Sequence, residues 1–82
     1  MSNTIKARRT ITPKEAADHF GTIPFPAETT AVVVLTLAEA SAEGNEGYYE
    51  ERANGSFYCC VYNDDIVTRD RNEAEKFLVS HL

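Results

Sequence analysis

Residues 46–62 read EGYYEERANGSFYCCVY. Asn54-Gly55 lies between two runs rich in strand-forming residues. Asn-Gly is the strongest short-range signal for a two-residue hairpin, because both residues tolerate positive φ. Such a turn constrains this chain more than any other feature, since it fixes a register and the register fixes two faces. With Asn54 and Gly55 as the loop, Arg52 faces Phe57, Glu51 faces Tyr58, Glu50 faces Cys59, Tyr49 faces Cys60 and Tyr48 faces Val61. Opposed residues share a face. One face is then Tyr48, Glu50, Arg52, Phe57, Cys59 and Val61. The other is Tyr49, Glu51, Tyr58, Cys60 and Tyr62. Phe57, Cys59 and Val61 make the better core set, which leaves the tyrosines on an uncovered face.

The other elements follow from period and punctuation. Residues 4–11, TIKARRTI, alternate as a strand, with Arg9 out of step. In TPKEAADHFG, Thr12 is an N-cap, Pro13 suits the first helical position, Glu15 completes a capping box and Gly21 suits the stop. Ala16, Ala17 and Phe20 form that helix's apolar stripe. TIPFPAET is an extended connector. Thr30 to about Ala38 is almost continuously apolar, which suggests a central strand. Residues 38–47 fit an extension of that strand, an acidic loop or a helical turn. Asn63-Asp64-Asp65 reads as a second turn before a short strand, Ile66-Val67-Thr68. Asp70, with Glu73 as capping partner, starts a last helix whose stripe is Ala74, Phe77, Leu78 and Leu82. The order is β-α-β-β-β(-β)-α. It predicts one α+β domain over residues 1–82, a two-layer sandwich of a four- to five-stranded antiparallel sheet with both helices on one face.

Charge and cysteine usage narrow the function. The net charge is −5, and it is uneven. Residues 1–14 hold Lys6, Arg8, Arg9 and Lys14 and no acid, whereas all thirteen acids lie in residues 15–82. Six glutamates fall between Glu28 and Glu51 with no base among them. Such a surface repels phosphate backbones and attracts basic ones. Cys59 and Cys60 are adjacent, and neighbouring side chains of a strand point to opposite faces, so they do not pair with each other. Reduced thiols, the lack of a secretory signal at the N-terminus and the lack of an apolar run of about 18 residues predict a cytoplasmic protein outside the membrane.

No nucleotide loop, metal-binding helix or nucleophile elbow occurs. His19 and His81 read as surface histidines, and Asp64-Asp65 reads as turn chemistry. The expectation is therefore no catalysis, no metal and no cofactor. The segment GYYEERANGSFYCCVYNDDIVTRDRNEAEKFL resembles the small DNA-binding domains of phage integrases and plant transcription factors, a three-stranded meander followed by a helix. Those domains use basic sheet residues, and Glu46, Glu50 and Glu51 depart from that pattern. In size and composition the chain is similar to small phage proteins that disable host defences, the anti-CRISPR proteins among them. That resemblance implies an acidic inhibitor occupying a basic groove or a subunit interface of a host protein. The expected partner surface combines Tyr49, Tyr58 and Tyr62 with Glu39, Glu43, Glu46 and Glu51. A homodimer through the open face is a further expectation. The alternative is a small nucleic-acid-binding or regulatory module using Lys6, Arg8 and Arg9.

Overall fold

The computed structural model describes residues 4–22, 24–38 and 46–81. Five strands form one antiparallel sheet in chain order: β1 (Ile5–Ile11), β2 (Thr29–Leu37), β3 (Glu46–Arg52), β4 (Phe57–Val61) and β5 (Asp64–Thr68). Helix α1 (Pro13–Phe20) joins β1 to β2, and α2 (Arg71–His81) follows β5. The α+β class, the antiparallel sheet and the element order agree with the sequence. The expected acidic segment around Glu39 and Glu43 lies outside the described residues, as does Leu82.

Local chemistry sets the helix ends. The Thr12 hydroxyl accepts the Glu15 N–H at 3.1 Å, and the Glu15 carboxylate accepts the Thr12 N–H at 3.3 Å. Gly21 closes α1 at φ 66°, a left-handed conformation that glycine adopts without penalty. At α2 the Asp70 carboxylate accepts the Asn72 N–H at 2.9 Å. Glu73 does not complete a box there; it accepts the Thr68 hydroxyl at 2.6 Å and ties the helix start to β5.

The two helices lie on opposite faces of the sheet, not on one. Val33 and Leu35 of β2 pack with Tyr49, Cys59 and Val61 beneath Ala74 and Leu78 of α2. Val32 and Val34 point the other way and pack with Ala16 of α1, alongside Ile11, Phe20, Phe25 and Tyr48. The physical reason is in β2 itself. Consecutive residues of a strand alternate faces, so a run that is apolar at every step needs cover on both sides. α1 covers the β1–β2 end of one face, and α2 covers β3, β4 and β5 on the other.

The β3–β4 hairpin also corrects the expected register. Glu50 pairs with Tyr58 and Glu51 with Phe57, one residue away from the two-residue loop. The loop has three residues, Ala53-Asn54-Gly55, closed by the Arg52 N–H donating to the Ser56 carbonyl at 2.9 Å. Gly55 takes φ 85°, the positive-φ position that ends a three-residue hairpin loop. A one-residue slip exchanges the faces of β3 while leaving those of β4 unchanged. Tyr49 therefore joins the core face with Phe57, Cys59 and Val61, and Tyr48 moves to the α1 face. The next turn is shorter than expected. Val61 pairs with Asp64 across Tyr62-Asn63, so β5 begins at Asp64.

Among the described residues, the core face contains one buried charge. Glu75 of α2 is only 6% exposed. Arg8 of β1 grips it with two hydrogen bonds, Nε at 2.8 Å and a terminal nitrogen at 2.7 Å, and the Tyr49 hydroxyl donates to it at 2.8 Å. Both carboxylate oxygens are thus satisfied, as a buried acid requires. The Arg8 hydrogen bonds hold the Glu75 carboxyl below the usual value of 4.5, against the opposing effect of burial, with help from the Tyr49 hydroxyl. A carboxyl depressed in the folded state contributes stability above its unfolded pKa, and that stability is lost as pH falls through the lower folded value. The urea midpoint of the wild type is therefore expected to drop on acidification from about pH 5 to about pH 3. The drop should be smaller in Glu75→Gln, which is already weakened at neutral pH. Equal drops in the two proteins would show that Glu75 carries none of the acid sensitivity.

Candidate functional site

Two helices on opposite faces leave one large part of the sheet bare. α1 and the connector after it reach across only as far as Tyr48, whose ring meets Phe20 at 4.5 Å and Phe25 at 5.8 Å between centroids. Beyond Tyr48, no described element lies over the side of β3, β4 and β5 opposite α2. Cross-strand pairing sets Tyr58 between Glu50 and Val67, and Cys60 beside Asp65. Val67 is 61% exposed and Tyr62, in the adjoining turn, 84% exposed. These are the two large hydrophobic side chains that stand out to solvent among the described residues.

Hydrogen bonds and ring contacts organise this surface. The Arg52 guanidinium carbon lies 4.5 Å from the centroid of the Tyr58 ring. One terminal nitrogen of Arg52 is 3.6 Å from Glu50, and the other 3.9 Å from Glu28. Glu50 is buried and accepts the Thr29 hydroxyl at 2.7 Å. Arg52 thus sits over the Tyr58 ring while two acids share its charge, a cation–π arrangement. The Tyr58 hydroxyl donates to Asp65 at 3.2 Å. Burial first, then the hydrogen bonds to Cys60 and Asp65, push the Tyr58 phenol up to about 12, so it remains a neutral donor. Cys60 is exposed, while Cys59 on the other face is buried, and both are free. Burial, followed by the nearby Cys60 and Glu50, pushes the Cys59 thiol up to about 12, which keeps it protonated and inert.

The residues expected to form one site are separated. Tyr58 and Tyr62 lie on or beside the bare face. Tyr49 is 1% exposed and belongs to the core. Glu51 shares the Tyr49 face and pairs with Arg71 at 2.8 Å. Glu46 lies at the far end of β3, where His19 approaches it at 2.8 Å and Arg9 at 3.6 Å. Glu39 and Glu43 lie outside the described residues. The bare face instead recruits Val67, Asp65 and Arg52, which sequence patterning did not single out. Their signal was the pairing of β5 with β4, which puts Val67 beside Tyr58 and Asp65 beside Cys60 once the short turn is placed correctly. Among the described residues no cluster of three or more His, Cys, Asp or Glu side chains is placed to hold a metal, and no helix is long and apolar enough to cross a membrane.

No family model matches the chain, and comparison with curated proteins and with solved structures finds no significant match.

Proposed function

We propose that the protein acts by binding rather than by catalysis, and that it docks the bare sheet face on a basic surface of a partner protein. Such an activity suits an acidic inhibitor of the anti-CRISPR kind, working in a reducing cytoplasm where Cys59 and Cys60 stay free. The observation that carries this reading is the exposed group Cys60, Tyr62 and Val67 around the half-buried Tyr58, rimmed by Asp65, on a sheet whose other side is packed. Tyrosine provides a large contact area at low entropy cost, and rigid aromatic anchors dominate interface energetics. The acidic balance of the chain steers association toward a basic partner.

Two competing readings have less support. A homodimer through this face would oppose the Glu50 and Asp65 carboxylates of one copy to those of the other, a local repulsion that a basic partner avoids. Nucleic-acid binding by the basic strand has lost its main residues to internal ion pairs, Arg8 to Glu75 and Arg9 to Glu46.

The reading is tested with the double variant Tyr58→Ala, Tyr62→Ala. Neither side chain belongs to the core, so the variant should fold. A partner captured by the wild type should be basic and should release at high salt. Its dissociation from the variant is expected to be faster by about 2 kcal/mol, roughly thirtyfold, if Tyr58 is a hot spot. Equal dissociation rates from wild type and variant would move the site off this face.

A further inference from the structure

The two edges of the sheet are not alike. β1 is blunted in the ways that native proteins discourage strand pairing: it carries Lys6, Arg8 and Arg9, and its register shifts between Ile5 and Ala7. β5 carries charge only at its start, Asp64 and Asp65, and has no bulge. Its pairing with β4 runs without a shift from Asp64 to Thr68, and it holds no proline and no base. Its last three residues, Ile66-Val67-Thr68, are all β-branched, the type that pairs best in sheets.

The turn determines which groups are free. Val61 and Asp64 pair across the two-residue turn Tyr62-Asn63. In an antiparallel ladder closed in this way, alternate residues bond inward, so Asp64, Ile66 and Thr68 bond to β4. The N–H and C=O groups of Asp65 and Val67 then point away from β4, into solvent. Val67, on that open edge, is also the exposed apolar residue of the strand.

A symmetric antiparallel pair between two copies has few registers. One centred on Asp65 opposes two carboxylates. One centred on Ile66 sets Val67 against Asp65 of the other copy. One centred on Val67 pairs the two exposed valines and sets each Asp65 opposite Arg69 of the other copy, and it hydrogen-bonds through the residues whose backbone groups are free. Arg69 uses one terminal nitrogen on the Asn54 carbonyl at 2.8 Å, and an arginine has five N–H donors to share. We infer that the free edge of β5 pairs with β5 of a second copy, centred on Val67, to give a continuous ten-stranded sheet with an Asp65–Arg69 ion pair on each side of the seam. This edge contact leaves the Tyr58 face open and joins two such faces side by side. It does not depend on the proposed partner, and it differs from a dimer through the face itself.

Sedimentation of the full chain over a range of concentrations tests the inference. The small contact area implies a dissociation constant on the order of 10–100 µM. Val67→Pro deletes an outward-pointing N–H and no β4–β5 hydrogen bond, so it should leave the fold and its melting intact while abolishing the dimer. Asp65→Arg and Arg69→Asp each place like charges at both ends of the seam and should each weaken dimerisation roughly tenfold. An equimolar mixture of those two variants restores opposite charges at both ends and should form a heterodimer at least as tight as the wild-type dimer. A wild type that stays monomeric to about 1 mM, well above that range, overturns the inference. A dimer that survives Val67→Pro but is lost in Tyr58→Ala also overturns it, by assigning association to the face. A mixture of the two charge variants that fails to associate overturns the register.

Discussion

Tyr49→Ala is expected to cost about 3–5 kcal/mol, most or all of the stability of a domain this small. The Tyr49 side chain packs beneath α2 with Val33, Leu35 and Cys59, and its ring meets Phe57 edge-on at 5.9 Å. Alanine would leave a cavity where a rigid aromatic ring bridges sheet and helix. It would also remove one of the two partners of the buried Glu75 carboxylate, the other being Arg8. The two losses separate by substitution. Tyr49→Phe keeps the ring and deletes only the hydrogen bond, so it should cost about 1 kcal/mol. The measurement is urea unfolding of both variants at neutral pH. A Tyr49→Ala protein within about 1 kcal/mol of wild type would return Tyr49 to the surface, where the two-residue loop had put it.

That misplacement shows what a sequence holds and what it leaves out. The α1 ends were legible because each signal is local: Thr12, Glu15 and Gly21 act on backbone groups within a few residues. The hairpin was legible as a hairpin, but its loop length was not. Asn54-Gly55 permits a two-residue turn, and the choice of three is made by contacts around it. The Asn54 side chain accepts both the N–H and the hydroxyl of Ser56, at 3.0 and 2.6 Å. The Ala53 N–H donates to the carbonyl of Glu28, twenty-five positions away, at 2.9 Å. Since β4 kept its faces, Tyr58 and Cys60 were placed correctly, and Tyr49 and Glu51 on β3 were not. The opposite placement of the helices was legible in principle, because Val32 and Val34 needed cover as much as Val33 and Leu35 did. Glu75 was not legible at all. A glutamate between Ala74 and Lys76 looks like a surface residue until β1 brings Arg8 over it.

Removal of residues 77–82 is expected to abolish cooperative unfolding altogether. α2 is the only cover of the core face among the described elements, and Leu78, 1% exposed, is its largest fully buried side chain. Full burial of a leucine contributes about 1.5–3 kcal/mol, and the partly buried Phe77 ring adds to that. The larger loss is indirect. With its last turns gone, α2 would keep only residues 71–76, too short to hold helical structure without packing. Ala74 and Glu75 would then leave the sheet, exposing Tyr49, Cys59 and Val61 and freeing Arg8. A domain with total stability of about 5–10 kcal/mol cannot absorb the sum. The truncated chain should show a broad, non-cooperative thermal signal and bind hydrophobic dyes, as states do that keep secondary structure without fixed packing. Shortening at the other face makes the control. Phe20→Ala on α1 trims a half-buried ring that lies on Tyr48, and should lower the midpoint while leaving one sharp transition. If the truncated chain also melts in one sharp transition, α2 is an appendage and the β2–β3–β4 packing with α1 is sufficient to fold.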